Sequence, residues 1–98
     1  MIHVMMRHKV ADYGRWKSAF DAHLNTRKAN GEVSCRLFLS VEDPRDVTIV
    51  LDWDGLERAR HFAASDDLKQ AMQGAGVVGE PEIRFLEDAL TVRRSAAD

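Results

Sequence analysis

The order of two hydrophobic patterns constrains the fold of this chain more than any other feature of its sequence. Apolar and polar side chains alternate, with the period of a strand, over residues 2–9, 32–40, 47–53 and 82–88. Apolar residues recur three and four apart, with the period of a helix, over residues 12–28 and 56–72. The second helical region is one broken helix or two short ones, because Ser65 begins a second helix-start signal. The predicted order is therefore βαββαβ.

This order is typical of the ferredoxin-like α+β fold, in which helices cover one face of a four-stranded antiparallel sheet. A chain of 98 residues has room for one such domain. We expect it to span residues 1–88, and residues 89–98, which carry few apolar side chains, to form a flexible tail. The face under the helices is expected to carry the apolar residues of the alternating strands: Val4, Met6, Val33, Cys35, Leu37, Val47, Ile49, Leu51, Trp53, Ile83 and Phe85.

The opposite sheet face mixes apolar and charged side chains. Together its apolar members form a patch that is too large to be left in water, so we expect a second copy of the chain to bury it. The alternative is the half-solvated sheet of a monomer. Arg36 and Asp52, on neighbouring strands, are predicted to form an ion pair that sets the pairing register. The predicted homodimer interface comprises Met5, Arg36, Phe38, Val50, Asp52 and Leu86.

Charge and cysteine content exclude several classes of protein. The formal net charge is -2, so no basic surface is available to follow a nucleic-acid backbone. The single cysteine, Cys35, excludes an internal disulfide framework. No apolar run approaches the roughly 20 residues of a membrane span, and polar residues such as His3 and Arg7 interrupt any leader-like start. We therefore predict a cytoplasmic protein without nucleic-acid or membrane partners.

Residues 74–79 satisfy the pattern G-x-G-x-x-G, which in dinucleotide-binding proteins follows a strand and opens a helix. Here the glycines follow a helical region and precede Pro81 and a strand, so we expect a tight loop. His3 and His8 lie five apart on a strand and point to opposite faces, so they cannot chelate one ion. The sequence therefore predicts no metal and no nicotinamide or flavin cofactor.

Two histidines are the candidate catalytic residues. His8 ends the first strand on its apolar face, and His23 lies near Phe20 on the first helix, so both side chains are expected at one end of the helix–sheet space. An imidazole there can serve as a general base at neutral pH; alternatively, each is a hydrogen-bonded or rim histidine. Aromatic and apolar residues form either a ligand pocket or plain core: Tyr13, Trp16, Phe20, Trp53, Phe62, Met72 and Phe85.

A resemblance to a known family is carried by residues 8–17, 20–23, 31, 51–54, 59–62 and 74–81. In these segments the sequence resembles the dimeric α+β barrel superfamily, whose small members include the antibiotic biosynthesis monooxygenase-like proteins. The resemblance implies a homodimer with two sheets packed face to face and a small-molecule cavity between helices and sheet. For the oxidising members it implies a cofactor-free mechanism that uses a Trp, an Asn and an Arg; neither Asn25 nor Asn30 matches that Asn.

Three hypotheses about function follow from these features. The first is a homodimeric protein that binds a small apolar or aromatic molecule between helices and sheet. The alternative is a cofactor-independent monooxygenase, or a related isomerase or cyclase, that acts on an aromatic substrate. The third is an interaction module with a filled core. The state of the helix–sheet space, open or solid, separates the third hypothesis from the other two.

Overall fold

Four strands and four helices make up the computed structural model, which describes residues 1–95. The strands pair antiparallel in the order β2-β3-β1-β4, so the predicted ferredoxin-like α+β fold is confirmed. The elements are β1 (Ile2–Val10), α1 (Tyr13–Ala22), α2 (Leu24–Asn30), β2 (Glu32–Leu39), β3 (Asp46–Trp53), α3 (Leu56–Ala63), α4 (Asp66–Gly74) and β4 (Val77–Glu87).

Both helical regions consist of two short helices. The first was expected to be continuous, but α1 ends at His23, whose backbone N–H donates to the carbonyls of Ala19 and Phe20. The break changes which residues face inward, because Leu24, on the predicted apolar stripe, is exposed and Arg27 is buried in its place. In the second region the Ser65 hydroxyl caps α4 by accepting from the backbone N–H of Leu68, so of the two alternatives the chain adopts two helices.

The last strand begins earlier than its alternation predicts, and half of the predicted glycine loop, residues 77–79, is strand. Val77 and Val78 pair with β1, and the register then shifts before Glu82 pairs with Arg7. Gly79, with φ of 76°, lies in the unpaired segment, where a positive φ suits glycine. Pro81 lacks an N–H and is tolerated there because β4 is an edge strand.

Three residues that were expected under the helices are exposed. A register shift between Glu32 and Ser34 pairs Glu32 with Trp53, so the shift places Glu32 on the helix face and leaves Val33 60% exposed. Cys35 pairs with Leu51 and Phe85 with Val4, so both lie on the expected face. They are nevertheless exposed, because β2 and β4 are the edge strands of the sheet.

The core lies between the central strands and the helices. On β1 and β3 every second residue is buried, including Val4, Met6, Ile49 and Leu51. The helices contribute Trp16, Ala59, Phe62 and Leu68. No helix within residues 1–95 is long and apolar enough to cross a membrane.

Trp53 is the centre of the packing at one end of this core. Its ring stacks on Phe62 at 4.6 Å between centroids, and its Nε1–H donates to the carbonyl of Asn30 at 3.0 Å. The neighbouring Gly31 has φ of 124°, and a Cβ there would lie 2.6 Å from Trp53 Nε1. Only glycine therefore allows α2 to end against the indole.

After β4, residues 88–95 form neither helix nor strand. Residues 96–98 of the predicted tail lie outside the described residues, and both the domain boundary at residue 88 and the flexibility of the tail stay predictions.

Candidate functional site

A cavity of about 50 Å³ lies between the middle of the sheet and the helices. Its floor comes from β1 and β3, and its walls from the helices. In this conformation it has room for a few water-sized groups, so a ring-sized ligand has to displace lining side chains such as the flexible Met72. The lining comprises Met6, His8, Ile49 and Leu51 of the sheet, Trp16, Ala19, Phe20, His23 and Arg27 of the first helical region, and Phe62, Leu68, Ala71, Met72 and Ala75 of the second.

Four of the seven predicted pocket residues line this cavity: Trp16, Phe20, Phe62 and Met72. The other three do not. Trp53 packs behind Phe62 as solid core, and Tyr13 lies against Trp16 with 6.1 Å between ring centroids. Phe85 is 38% exposed on the edge strand β4. The stripe pattern identifies residues on the right face but does not separate the wall of a cavity from the packing behind it.

His8 is the most unusual residue of the lining. It is 5% exposed, and neither ring nitrogen has a hydrogen-bond partner among residues 1–95. The nearest aromatic contact is the edge of Trp16, at 5.6 Å between ring centroids. Burial lowers the pKa of His8 below its usual value, so the ring is neutral at pH 7 and one nitrogen keeps a free lone pair. That is the state a general base requires.

His23 lies at the junction of α1 and α2 and lines the same cavity. Its Nε2 is 3.1 Å from Oδ2 of Asp67 in the first turn of α4, so this pair joins the two helical regions. Its ring is 6.3 Å from that of Phe62. The structure therefore brings both histidines to one cavity, His8 on its sheet side and His23 on its helix side.

Beside the cavity lies a buried ion pair that the sequence analysis does not predict. The side chains of Arg27 and Glu32 are 4% and 3% exposed, and Arg27 Nε donates to Glu32 Oε1 at 2.6 Å. Arg27 Nη1 donates to the carbonyl of Phe20 at 2.5 Å, and the guanidinium lies 3.8 Å from the centre of the Phe20 ring. Phe20 in turn stacks on Trp16 at 5.0 Å. The sequence carries no periodic signal for this pair, because it depends on the break at His23 and on the register shift after Glu32.

The arrangement of the described side chains and of the glycine segment does not match a metal site or a dinucleotide-binding site. Within residues 1–95, no group of three or more His, Cys, Asp or Glu side chains converges as a metal site. The glycines of residues 74–79 lead into β4 rather than into a helix, so they do not form the phosphate-binding turn of a dinucleotide fold.

The predicted interface residues lie together on the sheet face away from the cavity, called here the outer face. Strand register places Met5 beside Val50, and Arg36 on the other side of Val50. Phe38 and Leu86 are 48% and 44% exposed in the isolated chain, at opposite edges of the sheet. The outer face also carries His3, which pairs with Asp52 and Leu86 across the ladders.

Within residues 1–95 of one chain, Arg36 and Asp52 do not form the predicted ion pair, because Arg36 lies opposite Val50 whereas Asp52 lies between Ser34 and His3. Asp52 accepts from the Ser34 hydroxyl and from His3 Nδ1, the latter at 2.5 Å. His3 Nε2 is 2.6 Å from Oδ1 of Asp88. Only the protonated ring can donate from both nitrogens. Hydrogen bonds to Asp88 and then to Asp52 accordingly raise the pKa of His3.

This arrangement predicts a pH-dependent contribution to stability. Because the folded pKa of His3 lies above 6.5, the contribution is complete below pH 6.5 and is lost as pH rises through the folded value. We expect the stability difference between the native chain and His3→Gln to shrink from pH 6 to pH 9, measured by urea unfolding. His61→Gln, at an exposed helical position, is the control. A stability difference that stays constant over this pH range would contradict a protonated His3 that bridges Asp52 and Asp88.

Comparison with known proteins bears on the fold. No protein-family profile matches the chain, and no curated protein matches it. Among solved structures, SnoaB, a cofactor-independent oxygenase from Streptomyces nogalater, is 13% identical, with a TM-score of 0.76 over 95% of this chain and 97% of that chain.

Two further solved structures have the same fold as this chain. A Bordetella bronchiseptica protein assigned to the antibiotic biosynthesis monooxygenases is 20% identical, with a TM-score of 0.74 over 91% of this chain and 97% of that chain. A conserved protein from Methanosarcina mazei is 15% identical, with a TM-score of 0.70 over 90% of this chain and 92% of that chain. Identities this low speak to architecture alone. The chain therefore has the α+β fold of the antibiotic biosynthesis monooxygenase-like proteins, as the resemblance of its sequence implies.

Proposed function

We propose that the protein binds a small apolar or aromatic molecule in the cavity between helices and sheet. The observation that carries this proposal is His8, a buried imidazole with two unpartnered nitrogens in an otherwise mostly apolar cavity. An unpartnered polar group of this kind costs about 1–3 kcal/mol, and a ligand with a donor or acceptor removes that cost. The aromatic walls formed by Trp16 and Phe62 suit a planar ligand.

A second candidate function, cofactor-independent oxygenation, is favoured by the protonation state of His8. A neutral imidazole in an apolar cavity can take a proton from a CH₂ group that an adjacent aromatic ring and carbonyl make acidic. The resulting carbanion transfers electrons to O₂ and forms a C–O bond, and the peroxide accepts the proton. Loss of water then leaves a carbonyl, so CH₂ and O₂ become C=O and H₂O. With proton return to carbon instead, the same base would catalyse an isomerisation.

Turnover distinguishes these two candidates. The experiment uses metal-stripped protein, an anthrone-type substrate and an oxygen electrode. We expect His8→Gln to lower kcat by about 10²–10⁴-fold, the range for a lost general base. His23→Gln is the matched control in the same cavity. Activity that survives both substitutions would exclude a histidine base. Binding without turnover, detected through tryptophan fluorescence, would favour the binding protein.

We also propose that the outer face is buried in a homodimer. Its support is the exposure of Phe38 and Leu86 beside the apolar Met5 and Val50, on a sheet whose other face is already covered by helices. Two copies packed through this face would leave both cavities open to ligand, because each cavity lies on the opposite side of its sheet.

A substitution on the outer face tests this proposal. Sedimentation at micromolar concentration is expected to give about twice 11.1 kDa. Phe38→Asp is expected to give monomers, because an unpaired carboxylate in an apolar interface costs several kcal/mol. Val41→Asp, on a fully exposed turn residue, is the control for an added charge and should remain dimeric. A native chain that sediments as a monomer would overturn the proposal.

A further inference from the structure

The balance of charge around the cavity limits the ligands that it can hold. Among residues 1–95, Arg27 is the one lysine or arginine that lines it, and its Nε and Nη1 are engaged by Glu32 and by the carbonyl of Phe20. Nη2 makes no hydrogen bond within residues 1–95. The guanidinium therefore retains donors that a ligand can use.

The positive charge of Arg27, however, is already balanced. Glu32 is as deeply buried as Arg27 and lies 2.6 Å from it, so together the two contribute no net charge. His8 adds none, because burial favours its neutral form. His23, which also lines the cavity, is paired with Asp67, a largely exposed carboxylate. A ligand carboxylate would thus bring a second negative charge next to the buried Glu32, with no uncompensated positive charge to balance it.

We propose that Arg27 selects a neutral ligand with a hydrogen-bond-accepting oxygen, and that Glu32 makes the cavity reject anions. This inference rests on the proposed binding function and names its ligand class. Glu32 acts as a specificity-determining residue without touching the ligand, because it sets the charge that the ligand meets. The donor on Arg27 and the free nitrogens of His8 are the two polar features that a bound molecule has to satisfy.

Three ligands of one shape test the proposal: acetophenone, benzoate and isopropylbenzene, which place a neutral acceptor, an anion and an apolar group on the same ring. Dissociation constants come from tryptophan fluorescence, to which Trp16 in the cavity wall contributes, or from calorimetry. For the native chain we expect acetophenone to bind at least about tenfold more tightly than benzoate. In Glu32→Gln, which keeps an acceptor for Arg27 Nε but removes the counter-charge, the ratio should shift toward benzoate by about tenfold or more.

A charge-free variant tests the same inference should Glu32→Gln not fold. In Arg27→Met/Glu32→Gln, the preference for acetophenone over isopropylbenzene should fall by about tenfold relative to the native chain. Comparing ratios removes the different hydrophobicity of the two ligands. Tightest binding of benzoate to the native chain, or ratios unchanged in the variants, would overturn the role of Arg27 and Glu32 while leaving the binding function intact. Failure of all three ligands to bind would overturn the binding function itself.

Discussion

Trp53→Ala is expected to lower the free energy of unfolding by about 3–5 kcal/mol, the range for removing a large aromatic side chain from a core. The indole is 1% exposed, and its replacement removes the stacking on Phe62 and the hydrogen bond to the carbonyl of Asn30. Urea unfolding followed by circular dichroism measures the loss, and Trp16 remains as a fluorescent reporter of the cavity.

Two control variants separate the contributions at Trp53. Trp53→Phe keeps an aromatic ring against Phe62 but loses the N–H donor, so a loss of about 1–1.5 kcal/mol is expected. Trp16→Ala should cost less than Trp53→Ala, because the Trp16 ring borders an existing cavity whereas Trp53 is packed behind Phe62. Equal losses at Trp16 and Trp53 would mean that the helix–sheet space is solid in solution.

The second large effect is expected for Arg27→Met, which leaves Glu32 buried without its partner. Breaking a buried ion pair from one side costs about 3–5 kcal/mol. The substitution also removes the donor to the carbonyl of Phe20 and the cation stacked on the Phe20 ring. Chemical unfolding measures the change in stability, and the change in near-ultraviolet circular dichroism relative to the native chain reports whether the stack of Trp16 on Phe20 persists.

The double variant Arg27→Met/Glu32→Gln supplies the control for this effect. With neither charge present, most of the lost stability should return, since an uncharged pair of similar volume avoids the cost of burying a lone carboxylate. A double variant no more stable than Arg27→Met would contradict the assignment of the effect to the unpaired Glu32. Lys17→Met, which breaks a surface pair with Asp21, should change stability by less than about 1 kcal/mol.

The central strands could be predicted from sequence because each has a full hydrophobic alternation and neighbours on both sides. β1 and β3 follow their patterns residue by residue. The edge strands depart from prediction, since a bulge in β2 costs only one set of ladder bonds and reverses the face of Glu32 and Val33. Alternation alone carries no signal for such a shift. Similarly, β4 starts within a glycine-containing segment because pairing with β1 overrides local propensity.

For the candidate site, the sequence was sufficient to identify the two histidines, whose side chains can act as acids or bases at neutral pH. His8 and His23 were placed at one cavity because strand and helix periodicity fix their faces. The pairing of Arg27 with Glu32 was not foreseen, because it depends on the break at His23 and on the bulge after Glu32, neither of which a periodic pattern contains. The sequence also does not show which cation pairs with Asp52. The strand register decides this, because it places His3 opposite Asp52 and places Arg36 opposite Val50.

The shallow anchoring of α1 has a consequence for how fast a ligand exchanges. Among the ten residues of α1, Trp16 alone is fully buried, and its ring both belongs to the core and lines the cavity; Tyr13, Ala19 and Phe20 are only partly buried. Segments held by so few buried groups open with a free energy well below that of global unfolding. The amide hydrogens of α1 should therefore exchange with solvent sooner than those of β1 and β3. The same opening would set the residence time of any molecule that needs more room than the cavity of about 50 Å³ provides.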